Sequence, residues 1–238
     1  MKILAVILAR GGSKGIPNKN LSLIGGKPLV VHSIQKCLEV SKYYDMKVIV
    51  SSDSNKIIET SKNVGAWVPF KRPDYLAQDD VESLPAVQHA IKEVENILKY
   101  IFDIIVYVQP NSPFCRIQDF RECINNLIFR KELESCLPIT DITTHPFKMK
   151  KIKENGILEN FIDQGFEDMR PRQLLPKVYR RAGSIYVSRR NVIMNKNTLV
   201  GNPCFGIKVP SITAVDIDSQ LDLELARIIF KNKETVLR

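Results

Sequence analysis

The sequence predicts a three-layer α/β chain, a mainly parallel sheet between helices, with a small β-rich arm in its second half. Three observations predict it. Apolar runs of strand length occur at 2–9, 47–51 and 103–109, the pattern of strands covered on both faces. Around them, 54–64, 83–99 and 117–128 read as helices. From about residue 134 the rhythm breaks into shorter pieces. Alternating strands and helices imply parallel pairing through helical crossovers.

Residues 2–9 (KILAVILA) form the first strand. The run has only Lys2 before it and enters Arg10-Gly11-Gly12 without a small-residue cleavage pattern, so it reads as buried strand and not as a secretion signal. Pro28 opens a helix, because its fixed φ suits the first turn. The second strand is 47–51, the second helix 54–64, and a short strand follows near Trp67 and Val68. Leu84, Val87, Ile91, Val94 and Leu98 lie on one face of 83–99. Residues 103–109 (DIIVYVQ) are another buried strand, and Ile117, Phe120, Cys123, Ile124, Leu127 and Ile128 mark the next helix. Segments 134–139, 146–152 and 156–162 read as short strands, with Asn155-Gly156 a hairpin turn. Residues 163–178 have no period and are rich in charge and proline. Residues 179–187 recover strand character, 213–217 is the last strand, and 219–231 is a helix with Leu221, Leu225, Ile228 and Ile229 inward. Without a repeat or low-complexity linker, 1–238 is one domain with an inserted arm at about 140–185.

The 238 residues, 44% of them hydrophobic, can bury a sizeable core. No apolar run nears the ~20 residues of a membrane span, so a membrane partner is not expected. Cys37, Cys115, Cys123, Cys136 and Cys204 show no CxxC spacing and read as free thiols of a reducing, cytoplasmic setting. His32, His89 and His145 are far apart, and structural zinc is not expected. The net charge of +9 suits anionic partners. The basic residues are dispersed, without RNP-like aromatics or zinc-finger spacing, so nucleic acid is not the expected partner.

Ligands of such sheets sit beyond the strands' carboxyl ends, so loops starting at Arg10, Ser51 and Gln109 border one crevice. The first, Arg10-Gly11-Gly12-Ser13-Lys14-Gly15, offers backbone N–H groups to an anion, with Arg10, Lys14 and Lys19 to neutralise phosphate oxygens. Its spacing is neither the P-loop nor GxGxxG. Asp216-Ile217-Asp218, read as strand, puts two carboxylates on one side, a hard-oxygen site for Mg²⁺ (or Mn²⁺) on phosphates. Gln109-Pro110-Asn111-Ser112-Pro113 is a proline-fixed loop of neutral donors and acceptors. Tyr179-Arg180-Arg181-Ala182-Gly183 places arginines beside a glycine at a strand entry, suited to clamp a carboxylate or phosphate. Each of the four also reads singly as an ordinary turn, strand end or solvated basic face.

Together and in this order, LARGGSKGIPNKNL, QPNSPF, RPRQLLPKVYRRAGSIYV and VDIDSQLDL resemble the CMP-sialic acid synthetases and their relatives for legionaminic, pseudaminic and 3-deoxy-manno-octulosonic acids, over nearly the whole chain. The resemblance implies a Rossmann-like nucleotidyltransferase fold. It also implies that CTP and an acidic sugar are the substrates. Arg10, Gly11, Gly12, Ser13, Lys14, Lys19, Asn20, Arg72 and Ser83 would bind the nucleotide, Gln109, Lys148, Arg172 and Arg180 the sugar, and Asp216 and Asp218 the metal. Arg10, Lys14, Asp216 and Asp218 would be catalytic. Lys148, Arg172 and Arg180 would belong to an arm that crosses a two-fold homodimer into the partner's site. Two positions depart from the family's habit: Ala182 where asparagine is frequent, and Asn18 where glycine is. Asparagine tolerates left-handed backbone angles.

The implied reaction is in-line attack of the anomeric hydroxyl on the α-phosphorus of CTP, feeding surface glycan synthesis, and no side-chain general base stands out. Two alternatives stay open: another nucleotidyltransferase or nucleotide-sugar glycosyltransferase of the same fold, and a nucleic-acid binder. The enzyme reading requires Arg10 and Asp216 on the same side of the molecule.

Overall fold

The computed structural model describes residues 1–13 and 15–232; Lys14 lies outside them. In chain order the strands and helices are β1 Ile3–Leu8, β2 Leu23–Ile24, β3 Lys27–Pro28, α1 Leu29–Ser41, β4 Met46–Ser51, α2 Asn55–Asn63, α3 Ser83–Leu98, β5 Ile104–Val108 and α4 Ile117–Phe129. Then follow β6 Ser135–Asp141, β7 Lys150–Ile152, β8 Leu158–Asn160, β9 Tyr179–Arg181, β10 Ile185–Arg189, α5 Arg190–Met194, β11 Cys204–Lys208 and α6 Gln220–Lys231. The main sheet runs β11-β6-β10-β5-β1-β4, with β9 paired to β6. β1 is parallel to β4 and β5, and β11 to β6. β10 runs antiparallel between β5 and β6. The predicted α/β architecture, a mainly parallel sheet between helices, is therefore the one observed, with β10 and the short β9 running against the rest.

The period of two decides which helix each strand residue meets. Ile3, Ala5 and Ile7 of β1 join Val30 and Ile34 of α1 and Phe120 and Ile124 of α4. Leu4 and Val6, pointing the other way, meet Val87, Ile91 and Val94 of α3. These five of the six β1 side chains are at most 1% exposed, and burying each of Ile3, Leu4, Val6 and Ile7 contributes about 1.5–3 kcal/mol. A third, smaller cluster joins Ile16, Ile24, Phe114 and Ile217 to Leu223, Ala226 and Ile229 of α6. It ties α6 to the loops above the sheet.

Several expectations need correction. The strand expected at 213–217 is a 3-10 turn, Ser211–Ala214, followed by extended chain without strand partners. The Ile217 N–H donates instead to the Asn111 carbonyl, in the loop after β5 and not in a strand. The single strand expected at 179–187 is two, β9 and β10, broken where Gly183 adopts φ +72°. The strand expected at 146–152 begins as a 3-10 turn, Pro146–Lys148, and only Lys150–Ile152 pairs. In α6 the buried face is Leu223, Ala226 and Ile229, while Leu221, Leu225 and Ile228 are exposed. The helix is phased by Ser219, whose hydroxyl accepts from the Asp222 N–H while the Asp222 carboxylate accepts from the Ser219 N–H. Strands β2, β3 and β11 and helix α5 carried no clear period and were not expected. Pro28 caps α1 from just outside its first residue. The Asn155-Gly156 hairpin is present between β7 and β8, with Gly156 at φ +80°. Among the described residues no helix is long and apolar enough to cross a membrane.

Candidate active site

β1, β4 and β5 end together at the sheet's carboxyl edge, where the loops after β1 and β5 and the segment from Arg72 to Ser83 line a cleft of about 290 Å³. The loop after β1 is held from three sides. The Gly11 N–H donates to Asp53 Oδ1 (2.9 Å), just beyond β4. Asn20 Nδ2 donates to the Arg10 carbonyl (2.8 Å). Arg10 itself reaches the Asp79 carboxylate (2.8 Å) and the Gln78 carbonyl (2.9 Å) on the opposite rim. Asn18 turns the loop with φ +54°, the conformation asparagine tolerates.

The late acid pair closes onto this loop. Lys19 Nζ donates to Asp218 Oδ1 and to the Ile217 carbonyl, both at 2.9 Å. Gly15 lies so close that a Cβ there would sit 2.2 Å from the Asp218 carbonyl oxygen. The Ile217 N–H donates to the Asn111 carbonyl (2.9 Å), which ties the pair to the loop after β5 as well. The capped start of α6 follows directly, and its Ser219 contacts hold the Asp222 carboxyl below its usual range. Arg10 and Asp218 therefore border one cleft, with Asp216 bonded to Ser112 behind it.

Burial raises the pKa of Asp216, opposed by the Ser112 hydroxyl and by Arg180, whose guanidinium lies 3.5 Å away. Arg180 is fixed in turn by the Ala214 carbonyl (2.7 Å). Asn111 Nδ2 donates to Asp218 (3.3 Å), and its Oδ1 is buried without a partner among the described residues. Two carboxylates and an unpartnered amide oxygen are donors suited to a hard divalent cation. No group of three or more His, Cys, Asp or Glu capable of holding a metal occurs among the described residues. A cation here needs substrate oxygens or water to complete its shell, as Mg²⁺ commonly does.

Arg72 supplies a buried positive charge. Only 4% exposed, it donates from Nε to Ser51 Oγ (3.0 Å) and from Nη2 to the Ser51 carbonyl. Burial lowers its pKa to about 10, with the Asp53 charge acting against the fall, so it stays cationic at neutral pH. Across the cleft α3 begins at Ser83, with Pro85 in its first turn, where a missing N–H is tolerated. Ser83 Oγ accepts from the Tyr107 hydroxyl (2.9 Å), which accepts from Gln109 Nε2 (3.1 Å).

Of the residues expected in the site, Arg10, Gly12, Ser13, Lys19, Asn20, Arg72, Ser83, Gln109 and Asp218 line the cleft. Gly11 supports its floor through Asp53, and Asp216 and Arg180 stand together beside it. Lys148 and Arg172 are not brought there in this chain. Lys148 ends the Pro146–Lys148 turn, and Arg172 donates to the Ile142 carbonyl beside a second cavity with His145, Tyr179 and Lys208. Sequence reasoning missed Asp53, Asp79 and Tyr107 as site residues; it placed Asn111 among the neutral groups of the loop after β5 but not beside the acid pair. Tyr107 was recoverable: it lies two positions before Gln109 on a strand, hence on the same face. Nothing local in the sequence signals Asp79.

Comparison with known proteins agrees with this geometry. Residues 4–234 match the model of a family described as cytidylyltransferase. A CMP-N,N'-diacetyllegionaminic acid synthase of Legionella pneumophila is 29% identical over 238 residues, covering 100% of both chains. A pseudaminic acid cytidylyltransferase of Campylobacter jejuni is 29% identical over 231 residues, 97% of each chain. Among solved structures, a CMP:2-keto-3-deoxy-manno-octonic acid synthetase complexed with CTP superposes with a TM-score of 0.72 at 19% identity, over 98% of this chain and 100% of that one; that likeness is one of fold.

Proposed function

This chain belongs to the cytidylyltransferase family, and on that footing we propose that it couples CMP from CTP to an acidic nonulosonic sugar of the sialic or legionaminic type, releasing pyrophosphate for surface glycan synthesis. The observation that carries the reading is the bridge from Lys19 to Asp218 (2.9 Å). It joins the cationic glycine loop to the acid pair around one cleft, which a triphosphate with a counter-cation requires. The sugar class is suggested by the full-length relatives, named for legionaminic and pseudaminic acids.

In this reading Arg10, Lys19 and Arg72 hold the triphosphate, and charge developing on the departing pyrophosphate is met by groups already in place. Binding of a triphosphate would exchange the Asp79 partner of Arg10 for phosphate oxygens. Asp216 and Asp218, with the Asn111 amide beside them, would hold Mg²⁺ or Mn²⁺. When bound, such a cation neutralises phosphate charge and orients the α-phosphate. Gln109 and the neutral groups of the loop after β5 would orient the sugar.

The test is pyrophosphate release with CTP, Mg²⁺ and a panel of 2-keto-3-deoxy sugar acids. Turnover is expected with at least one nine-carbon acid and to be weaker with the eight-carbon acid. Silence across the whole panel would sink the reading.

The arm supports a homodimer with shared sites. Ile152, Leu158, Phe161, Met169 and Leu174 are each more than half exposed, an apolar concentration that monomers rarely leave uncovered. Lys148 and Arg172, idle toward their own cleft, would then serve the partner's. Sedimentation equilibrium is expected to give twice the chain mass of 27.1 kDa; a monomer at micromolar concentration would refute it.

A further inference from the structure

We propose that the Tyr107 hydroxyl is a positioning group that couples the nucleotide and sugar halves of the cleft through one hydrogen-bond relay. The inference rests on the reading above, in which Ser83 faces the nucleotide and Gln109 the sugar.

Tyr107 sits on β5, a strand whose other residues are aliphatic, and is 4% exposed. Its ring is fixed by stacking on Tyr186, with centroids 5.6 Å apart and planes at 22°. Tyr186 belongs to the antiparallel neighbour β10, directly opposite in register. The ring has therefore little freedom to turn, and its oxygen is delivered to one place. That place lies between Ser83 Oγ at 2.9 Å and Gln109 Nε2 at 3.1 Å.

A phenol has one proton to give. Here it goes to Ser83, and the oxygen accepts from the Gln109 amide. Each neighbour is thereby given a polarity. Ser83, already accepting, has its own O–H free to donate to a bound nucleotide. Gln109, with its nitrogen pinned on Tyr107, turns its carbonyl oxygen away as an acceptor for a sugar hydroxyl. Chains of hydrogen bonds polarise one another, and partners in one network respond non-additively to mutation. A ligand that tightens one end of this chain strengthens the other. The two substrates would then order their shared site together, without any movement of the backbone.

Tyr107→Phe keeps the ring, its stacking and its burial, and removes only the relay. The measurements are CTP affinity by calorimetry, which needs no sugar, and the KM for the accepted sugar acid. Tyr107→Phe is expected to weaken CTP binding about fivefold and to raise the sugar KM about tenfold, the size of one or two lost hydrogen bonds, with a smaller change in kcat. Gln109→Ala is expected to weaken CTP binding about threefold in the native background, although it acts from the sugar side, and not in the Tyr107→Phe background. Equal effects of Gln109→Ala in both backgrounds would overturn the proposal, as would native CTP affinity in Tyr107→Phe. A merely structural role would lower Tm and leave the two backgrounds alike. Should Tyr107→Phe fold poorly, the Ser83→Ala and Gln109→Ala pair carries the test: the double variant must lose less CTP affinity than the two losses combined, and strict additivity refutes it. Because the calorimetric arm uses CTP alone, a failure of the sugar panel and a failure of the relay are told apart.

Discussion

Asp218→Asn is expected to lower kcat about a thousandfold, at the upper end of what one pre-organised charge contributes to a transition state, while the fold persists. The side chain is 68% exposed, and among the described residues its ion pair is with Lys19; pairs with an exposed partner contribute about 0–1 kcal/mol. For a domain of this size that shifts Tm by only about 2–4 °C. The loss is chemical: asparagine keeps the shape and removes the negative charge that, with Asp216, would hold the divalent cation. The Mg²⁺ concentration for half-maximal activity should rise together with the fall in kcat, and chelation should silence the native enzyme. Native kcat in Asp218→Asn at the same Mg²⁺ concentration would remove the acid pair from the mechanism.

The second large effect belongs to a glycine that does not line the cleft. Gly183→Ala is expected to lower kcat about a hundredfold, the cost of misplacing a reacting group by about an ångström. Gly183 adopts φ +72°, and a Cβ there would lie 2.7 Å from both carboxylate oxygens of Asp216. Alanine would strain the backbone by about 1–2 kcal/mol and also push Asp216 away from Ser112. Gly65→Ala separates the two terms. Gly65 has φ +86° after α2, and the nearest atom to a new Cβ there would be Leu38 Cδ1 at 3.9 Å. It should lose stability like Gly183→Ala and keep its activity. If the two variants were equally active, the close packing of Gly183 on Asp216 would have no catalytic meaning.

Gly183 also shows where sequence reasoning stops. Residues 179–187 read as one strand because YRRAGSIYV has strand composition throughout. A glycine within it signals a bulge or a close approach, but which atom approaches is decided by Asp216, 33 positions later in the chain. The acid pair was legible as a pair; its setting was not. Expected on a strand, it lies on extended chain pinned by Asn111 and by the start of α6. Helix α6 carries two apolar stripes, and periodicity alone could not choose between them. The choice falls to Leu223, Ala226 and Ile229 because the Ser219 cap sets the helix phase and Gly25 leaves room for the Phe230 ring, which a Cβ there would meet at 1.9 Å.

By itself the sequence determined the layers, the buried central strands and the glycine loop, because these rest on local composition and short-range spacing; the family followed from the resemblance of four motifs taken in order. Only the tertiary structure decided that Lys19 closes on Asp218, that Arg10 rests on Asp79, and that Tyr107 stands between Ser83 and Gln109. Apart from the local bond of Tyr107 to Gln109, those contacts join residues far apart along the chain, and their geometry follows from how the sheet and helices pack.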